Sequence, residues 1–160
     1  MSRRKLLLLA FICTQLYQVL GLNLTILHTN DIGANLVNFS KNGMECKKED
    51  IEANQCFGGV ARLATAIGEF KRNNRNTLVL DAGDIFQGTI YYTMLKWSPI
   101  AESVKRISYD FVTLGNHEFD DGLEGLHPYL EYLKSRTQTK IVLSNMDTSD
   151  EKLDKLYSKR

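Results

Sequence analysis

The sequence predicts an α/β fold, a mostly parallel sheet with helices packed on it. Three observations predict it. Short apolar runs recur at residues 24–27, 77–80, 111–114 and 141–143. Stretches with apolar residues at helical spacing separate them. The runs are apolar throughout rather than alternating, as strands buried on both faces read. Strand alternating with helix in this way argues a layered parallel sheet. The chain has 160 residues, the length of one modest domain. Its formal charge of +1 implies no strongly basic surface, so no nucleic-acid partner is expected.

The first residues belong to another purpose. Arg3, Arg4 and Lys5 precede a mostly apolar stretch, and Gly21 offers a small residue for cleavage. Residues 1–21 read as a secretory signal peptide. The apolar core falls short of the ~20 residues a spanning helix needs, so the mature chain is expected to have no transmembrane segment and to be secreted. Cys13 leaves with the leader. Cys46 and Cys56 remain, an even pair in an oxidising compartment, and are expected to form a disulfide. That bridge staples a polar surface loop and builds no core. Asn23-Leu24-Thr25 and Asn38-Phe39-Ser40 are glycosylation sequons.

The remaining elements follow in order. Residues 24–27 form the first strand, ending at His28. Residues 31–55 are polar and read as a long loop. Gly58-Gly59 opens a helix whose Val60, Leu63, Ala64, Ile67 and Phe70 recur at helical spacing. Asn73-Asn74-Arg75-Asn76 stops it, and residues 77–80 form the second strand. Helical segments follow at about residues 90–96 and 99–107, with Pro99 suited to a first turn. Residues 111–114 form the third strand. Leu126, Leu130 and Leu133 line one side of a helix over residues 123–134, and residues 141–143 form the fourth strand. The tail is polar, Leu153 and Leu156 are its only aliphatics, and no strand or helix is expected in it. The domain reading is thus a leader at 1–21, a domain at 22–146 and a polar tail at 147–160, where the domain breaks off.

Three strands end in polar, ligand-type residues. The first leads to Asn30-Asp31, the second to Asp81 and Asp84, and the third to Asn116-His117 with Glu118 and Asp120 behind. Ligands of an open parallel sheet collect at the carboxyl ends of its strands, so these groups fall on one edge. Carboxylate, amide oxygen and imidazole suit divalent cations such as Zn, Mn or Mg. A cation pair about 3.5–4 Å apart clamps a phosphoryl group and activates water, and a carboxylate between the two ions is the natural bridge. His117 with Asp120 has another logic. Imidazole steadies phosphate oxygens or protonates a leaving group, and a carboxylate three residues on orients it. Each residue also has a plain role open to it. Asp31 and Asp84 can cap turns, Asn116-His117 can be a turn, His28 reads as a hydrogen-bonded structural histidine, and His127 before Pro128 as a surface residue.

The blocks that carry these residues are Thr25-Ile26-Leu27-His28-Thr29-Asn30-Asp31, Gly58-Gly59-Val60-Ala61-Arg62, Asp81-Ala82-Gly83-Asp84 with Gln87-Gly88-Thr89, and Leu114-Gly115-Asn116-His117-Glu118-Phe119-Asp120. In this order they resemble the N-terminal metallophosphoesterase (calcineurin-like) domain of the secreted 5′-nucleotidase/apyrase family, over nearly all of the chain from the leader to about Asn145. Cys46 and Cys56 just before the glycine pair also fit a disulfide of that family. The resemblance implies two divalent ions, usually zinc, with magnesium or manganese as alternatives. Asp31 would hold the first ion, Asp84 would bridge, and Asn116 would hold the second. His117 would be the catalytic histidine, partnered by Asp120. The substrate would be a nucleotide (AMP, ADP or ATP), hydrolysed to release orthophosphate.

Two departures from the family pattern stand out. A histidine ligand two positions after the first aspartate is replaced here by Gly33, which has no side chain to donate. Family members also continue with further histidines and a C-terminal domain that grips the base. This chain has only His28, His117 and His127, so an incomplete domain is expected. Two readings therefore stand side by side: a nucleotidase or apyrase, and a secreted relative that binds nucleotide or protein without turnover.

Overall fold

A computed structural model describes residues 21–158. The leader reading falls on residues 1–20, outside the described residues. Strand β1 (Thr25–Thr29) runs parallel to β4 (Thr77–Asp81), in register from Thr25 opposite Thr77 to Thr29 opposite Asp81. β4 pairs with β5 (Phe111–Val112), and β5 with β6 (Lys140–Ile141), again in parallel. The sheet order β1-β4-β5-β6 follows the chain. Helix α2 (Val60–Asn73) connects β1 to β4, α3 (Ile90–Leu95) and α4 (Trp97–Ile107) connect β4 to β5, and α5 (Gly122–Arg136) connects β5 to β6.

Crossovers between parallel neighbours are right-handed, so a sheet built in chain order sends every connecting helix to the same face. Helix α4 accordingly packs against α2 on one side and α5 on the other. The core lies between these helices and the sheet. Val79, Val112 and Ile141 meet Ile67 of α2, Ile100 and Val104 of α4, and Leu126, Leu130 and Leu133 of α5. No described helix is long and apolar enough to cross a membrane.

The opposite face of the sheet corrects the expectation of burial on both faces. Burial alternates along β1. Leu24 and Ile26 are 50% and 52% exposed, and Phe111 is 40% exposed. No layer covers these side chains among the described residues, because every crossover helix went to the other side. His28 is also exposed on β1, where a hydrogen-bonded structural histidine was expected.

The long polar loop is partly ordered. It carries a two-stranded antiparallel ladder of β2 (Phe39–Ser40) and β3 (Cys56–Phe57), and the short helix α1 (Lys48–Glu52). The expected Cys46–Cys56 disulfide is present and closes this unit.

The tail is a second correction. In place of the expected structureless stretch stands helix α6 (Glu151–Asp154), capped by Asp150, whose carboxylate accepts from the Leu153 N–H at 2.6 Å. Leu153 is 2% exposed and joins the core, with Leu156 packed beside it. The chain then returns to the sheet: the Ser158 N–H donates to the Ile141 carbonyl and the Leu143 N–H to the Ser158 carbonyl. Two leucines three apart make one helical turn, which suffices once a cap starts it. His127, expected at the surface, is drawn in by the same segment. Its side chain is 14% exposed, and its Nε2 lies 3.1 Å from Asp150 Oδ1.

Leu153→Ala is expected to destabilise the protein by about 2–5 kcal/mol, the usual effect of truncating a buried leucine. Urea unfolding followed by circular dichroism measures it; an unchanged midpoint would show that the tail is not part of the packed domain.

Candidate active site

The site begins where the strands stop. Beyond β1 the chain does not diverge from the segment that follows β4. The Asp31 N–H donates to the Gly83 carbonyl at 3.0 Å, Gly33 N–H to Asp84 at 3.1 Å, and Ala34 N–H to Ile85 at 2.9 Å. Backbone pairing thus extends past the strand ends and sets Asp31 beside the Gly83–Asp84 turn. Both aspartates take left-handed backbone conformations, φ 54° at Asp31 and 53° at Asp84, which Asp tolerates better than most residues.

The third loop lies directly against the second. A Cβ on Gly83 would fall 2.4 Å from the Gly115 nitrogen, and Gly83 has φ 91°, so only glycine fits there. The Asp84 carboxylate Oδ1 accepts from the His117 N–H at 2.9 Å. Asn116, exposed, sits between Gly115 and His117. Asp31, Asp84 and the Asn116-His117 pair are therefore neighbours along one edge of the sheet.

A single 3₁₀ turn, His117–Phe119, sorts the side chains of the third loop. Residues three apart eclipse in such a turn. His117 and Asp120 consequently meet, Nδ1 to Oδ2 at 2.8 Å, while Glu118 points inward and is 1% exposed. The Asp120 hydrogen bond holds the imidazole above the ordinary histidine value. The negative charges of Asp120, Asp84 and Asp31 push the same way, against a partial desolvation. His117 thus lies within the field of both other loops.

Asp81 is not part of this edge. It is 5% exposed and accepts from Thr29 Oγ1 at 2.5 Å and the Gly83 N–H at 3.0 Å. Thr29 Oγ1 in turn lies 2.7 Å from the Tyr109 hydroxyl. Burial pushes both the Asp81 carboxyl and the Tyr109 phenol up. These three residues form a polar floor beneath the loops. His28 and His127 are elsewhere, on the open sheet face and against α6.

The donor chemistry at the edge is two carboxylates and an amide oxygen, hard donors that fit a divalent cation. Among the described residues, no three His, Cys, Asp or Glu side chains gather into a group that could hold one. Position 33 accounts for part of that. A Cβ there would stand 4.0 Å from Asp31 Oδ1 and 3.4 Å from the Gln87 carbonyl, so space lies beside Asp31, but the φ of 54° favours glycine and glycine brings no donor. A groove of about 590 Å³ lined by Ile32, Asn35, Phe39, Val60 and Leu63 flanks the Asp31 loop; none of Asp31, Asp84, Asn116 or His117 lines it. The candidate site is an open edge. Spacing from His117 assigns Asp120 a role in the sequence but assigns Glu118 none; burial alone marks Glu118.

The sequence model described as calcineurin-like phosphoesterase matches residues 24–157. Human 5′-nucleotidase is 46% identical over 112 residues, which are 69% of this chain and 19% of that protein. An apyrase of Tabanus yao is 41% identical over 126 residues, 79% of this chain and 21% of the relative. In structure, a 5′-nucleotidase precursor from Thermus thermophilus superposes with a TM-score of 0.67 at 34% identity, covering 84% of this chain and 24% of that one. The chain spans about a fifth of the length of the curated relatives it matches. A match running almost from the first described strand to the last described residues leaves one conclusion: the chain belongs to the calcineurin-like phosphoesterase family.

Proposed function

We propose that this chain carries the N-terminal part of a secreted, metal-dependent phosphohydrolase acting on nucleotide phosphate esters. The observation that carries the reading is the side-by-side setting of three loops bearing Asp31, Asp84 and Asn116-His117, tied by backbone pairing and by the Asp84–His117 hydrogen bond. Asp31, Asp84 and Asn116 would hold divalent ions, with Asp84 central; zinc is the first choice, and magnesium or manganese fit the oxygen donors. Such ions, when bound, acidify water and balance the charge of phosphoryl oxygens.

The chain's own residues supply the rest. Asp120 holds His117 Nδ1, which leaves Nε2 free to face a phosphate. The raised pKa keeps the ring protonated further toward neutral pH, so it can donate to a phosphate oxygen or to the departing ester oxygen. The relatives' names, 5′-nucleotidase and apyrase, support a nucleotide substrate; AMP, ADP or ATP is the substrate we propose. Secretion after cleavage of the leader accords with the Cys46–Cys56 disulfide, and glycans would sit at Asn23 and Asn38. The domain proper would comprise residues 22–146 with the α6 segment docked on it.

A second reading is favoured by one feature. Gly33 offers no donor beside Asp31, which suits a secreted relative that binds nucleotide or protein without turnover.

Purified chain supplied with zinc, magnesium or manganese is expected to release orthophosphate from AMP or ADP. Chelation should abolish release, and His117→Ala should lower the rate about 10²–10⁴-fold, the range for a lost general acid. Nucleotide binding with no phosphate release would favour the second reading instead. Gly33→His is expected to raise the zinc content of the purified protein; equal content in parent and variant would show that position 33 does not limit metal binding.

The pH dependence has a definite sign. His117 is raised above its unfolded value, so the stability it contributes is full below about pH 6.5 and is lost as pH rises through the folded value. In an NMR titration of metal-free protein, Asp120→Asn should bring the His117 ring back toward about 6.5. A titration midpoint indifferent to that substitution would remove Asp120 as its partner.

A further inference from the structure

We propose that Glu118 is the positioning residue of this edge: its buried carboxylate binds the Asp84 loop and the Gly115–His117 loop into one rigid body. The proposal concerns the loops first, and its metal consequence rests on the functional reading above.

Four backbone N–H groups converge on Glu118. Oε1 accepts from Ile85 at 2.8 Å and Phe86 at 3.0 Å. Oε2 accepts from Asp84 at 2.9 Å and Gly115 at 2.5 Å. Three of these donors lie in one loop and the fourth in the other. A carboxylate has about four acceptor positions, and this arrangement engages four N–H groups with them. A side chain 1% exposed must be compensated in this way, since an uncompensated buried charge is costly.

The return brace runs the other way. Asp84 Oδ1 accepts from the His117 N–H, one residue before Glu118. Each loop therefore supplies a carboxylate to the other's backbone. Gly115 makes the approach possible, because a Cβ there would fall 2.2 Å from Asp84 Oδ1. The geometry also explains why a glutamate is needed. Glutamine offers one acceptor oxygen, and its amide N–H₂ would face two N–H donors. Aspartate is one methylene too short to span both loops from the same backbone. Asp120 is exposed and bonded to His117, and Asp121 is bonded to Tyr92 and Lys96, so both nearby acids are engaged elsewhere.

The hydrogen bonds to the Glu118 carboxylate come from backbone N–H groups. Glu118 acts through the backbone of Asp84, whose left-handed conformation it fixes, and through the brace to His117.

Native-state amide hydrogen exchange on the metal-free chain tests the clamp. The N–H groups of Asp84, Ile85, Phe86, Gly115 and His117 are expected to open together, with one common protection factor. Independent opening of the 84–86 and 115–117 groups overturns the proposal without any variant. In Glu118→Gln, protection at the four direct donors and at His117 should fall at least about tenfold, while Val79 and Val112 in the sheet keep theirs. Loss at the direct donors alone, with His117 unchanged, marks a local hydrogen-bond acceptor and overturns the positioning role.

Mn²⁺ titration by calorimetry adds the functional arm. Glu118→Gln should weaken binding about 10–100-fold, the usual effect of losing a residue that orients a ligand. Leu130→Ala, a buried substitution away from the edge, should lower stability and leave Mn²⁺ affinity intact. Equal affinity in parent and Glu118→Gln overturns the metal consequence. A parent chain that binds no Mn²⁺ fails the functional reading, and the exchange data still decide the clamp.

Discussion

One buried carboxylate sets the shape of this edge. The loops after β4 and β5 would otherwise leave the N–H groups of Asp84, Ile85, Phe86 and Gly115 without partners in a partly closed space. Orphaned backbone donors cost as much as lost hydrogen bonds, so such loops need an internal acceptor or open water. Glu118 provides the acceptor. With the donors satisfied, Asp84 can hold a left-handed conformation, Gly83 can lie against Gly115, and the His117 N–H can reach Asp84. The first loop then needs only to follow its neighbour, which it does through the hydrogen bonds of Asp31, Gly33 and Ala34.

The parallel sheet supplies the other half of the arrangement. Parallel strands in register all end on one side, so three loops start at nearly one level. Chain-order topology puts α2, α4 and α5 on one face and concentrates the core there. The opposite face keeps Leu24, Ile26 and Phe111 exposed. Asp81 stands at the last paired position of β4, bonded to Thr29 on the neighbouring strand, and so fixes the level from which the loops depart. The site is thus built in tiers: a paired sheet, a polar floor of Asp81, Thr29 and Tyr109, then braced loops, and at the top Asp31, Asn116 and the His117–Asp120 pair.

Much of this is legible in the sequence. Short apolar runs mark all four strands of the main sheet, because a strand buried on at least one face needs them. Helical spacing marks α2 and α5 for the same reason. That Asp31, Asp84 and Asn116-His117 fall on one edge follows from parallel topology. The rest depends on tertiary contacts that no local pattern carries. An apolar residue in a strand looks the same whether or not a layer lies over it, so sequence alone takes the second face of the sheet as covered. A mostly polar tail looks structureless, yet Leu153 needs only a capped turn and a place between helix and sheet. Glu118 is invisible beside Asp120, Asp121 and Glu124, since sequence shows charge and spacing but not which carboxylate faces the interior.

The loop that carries Asp31 separates architecture from coordination. Asp31, Gly33 and Ala34 all have φ near 54°, and the path they trace is held by hydrogen bonds to Gly83, Asp84 and Ile85. Ala34 is fully buried, and its carbonyl accepts from Thr89 Oγ1. Gly88 presses so close that a Cβ there would meet the Gly33 carbonyl at 2.4 Å. None of these hydrogen bonds uses a side chain at position 33, though the left-handed backbone there favours glycine. Asp31 is held beside Asp84 by backbone alone, so its place does not depend on a donor at position 33. Fold and loop geometry establish where charge is gathered on this edge; under the proposed function, the side chains at a few positions along it would decide how firmly a cation is held, and with it whether the edge would hydrolyse a phosphate ester or only bind one.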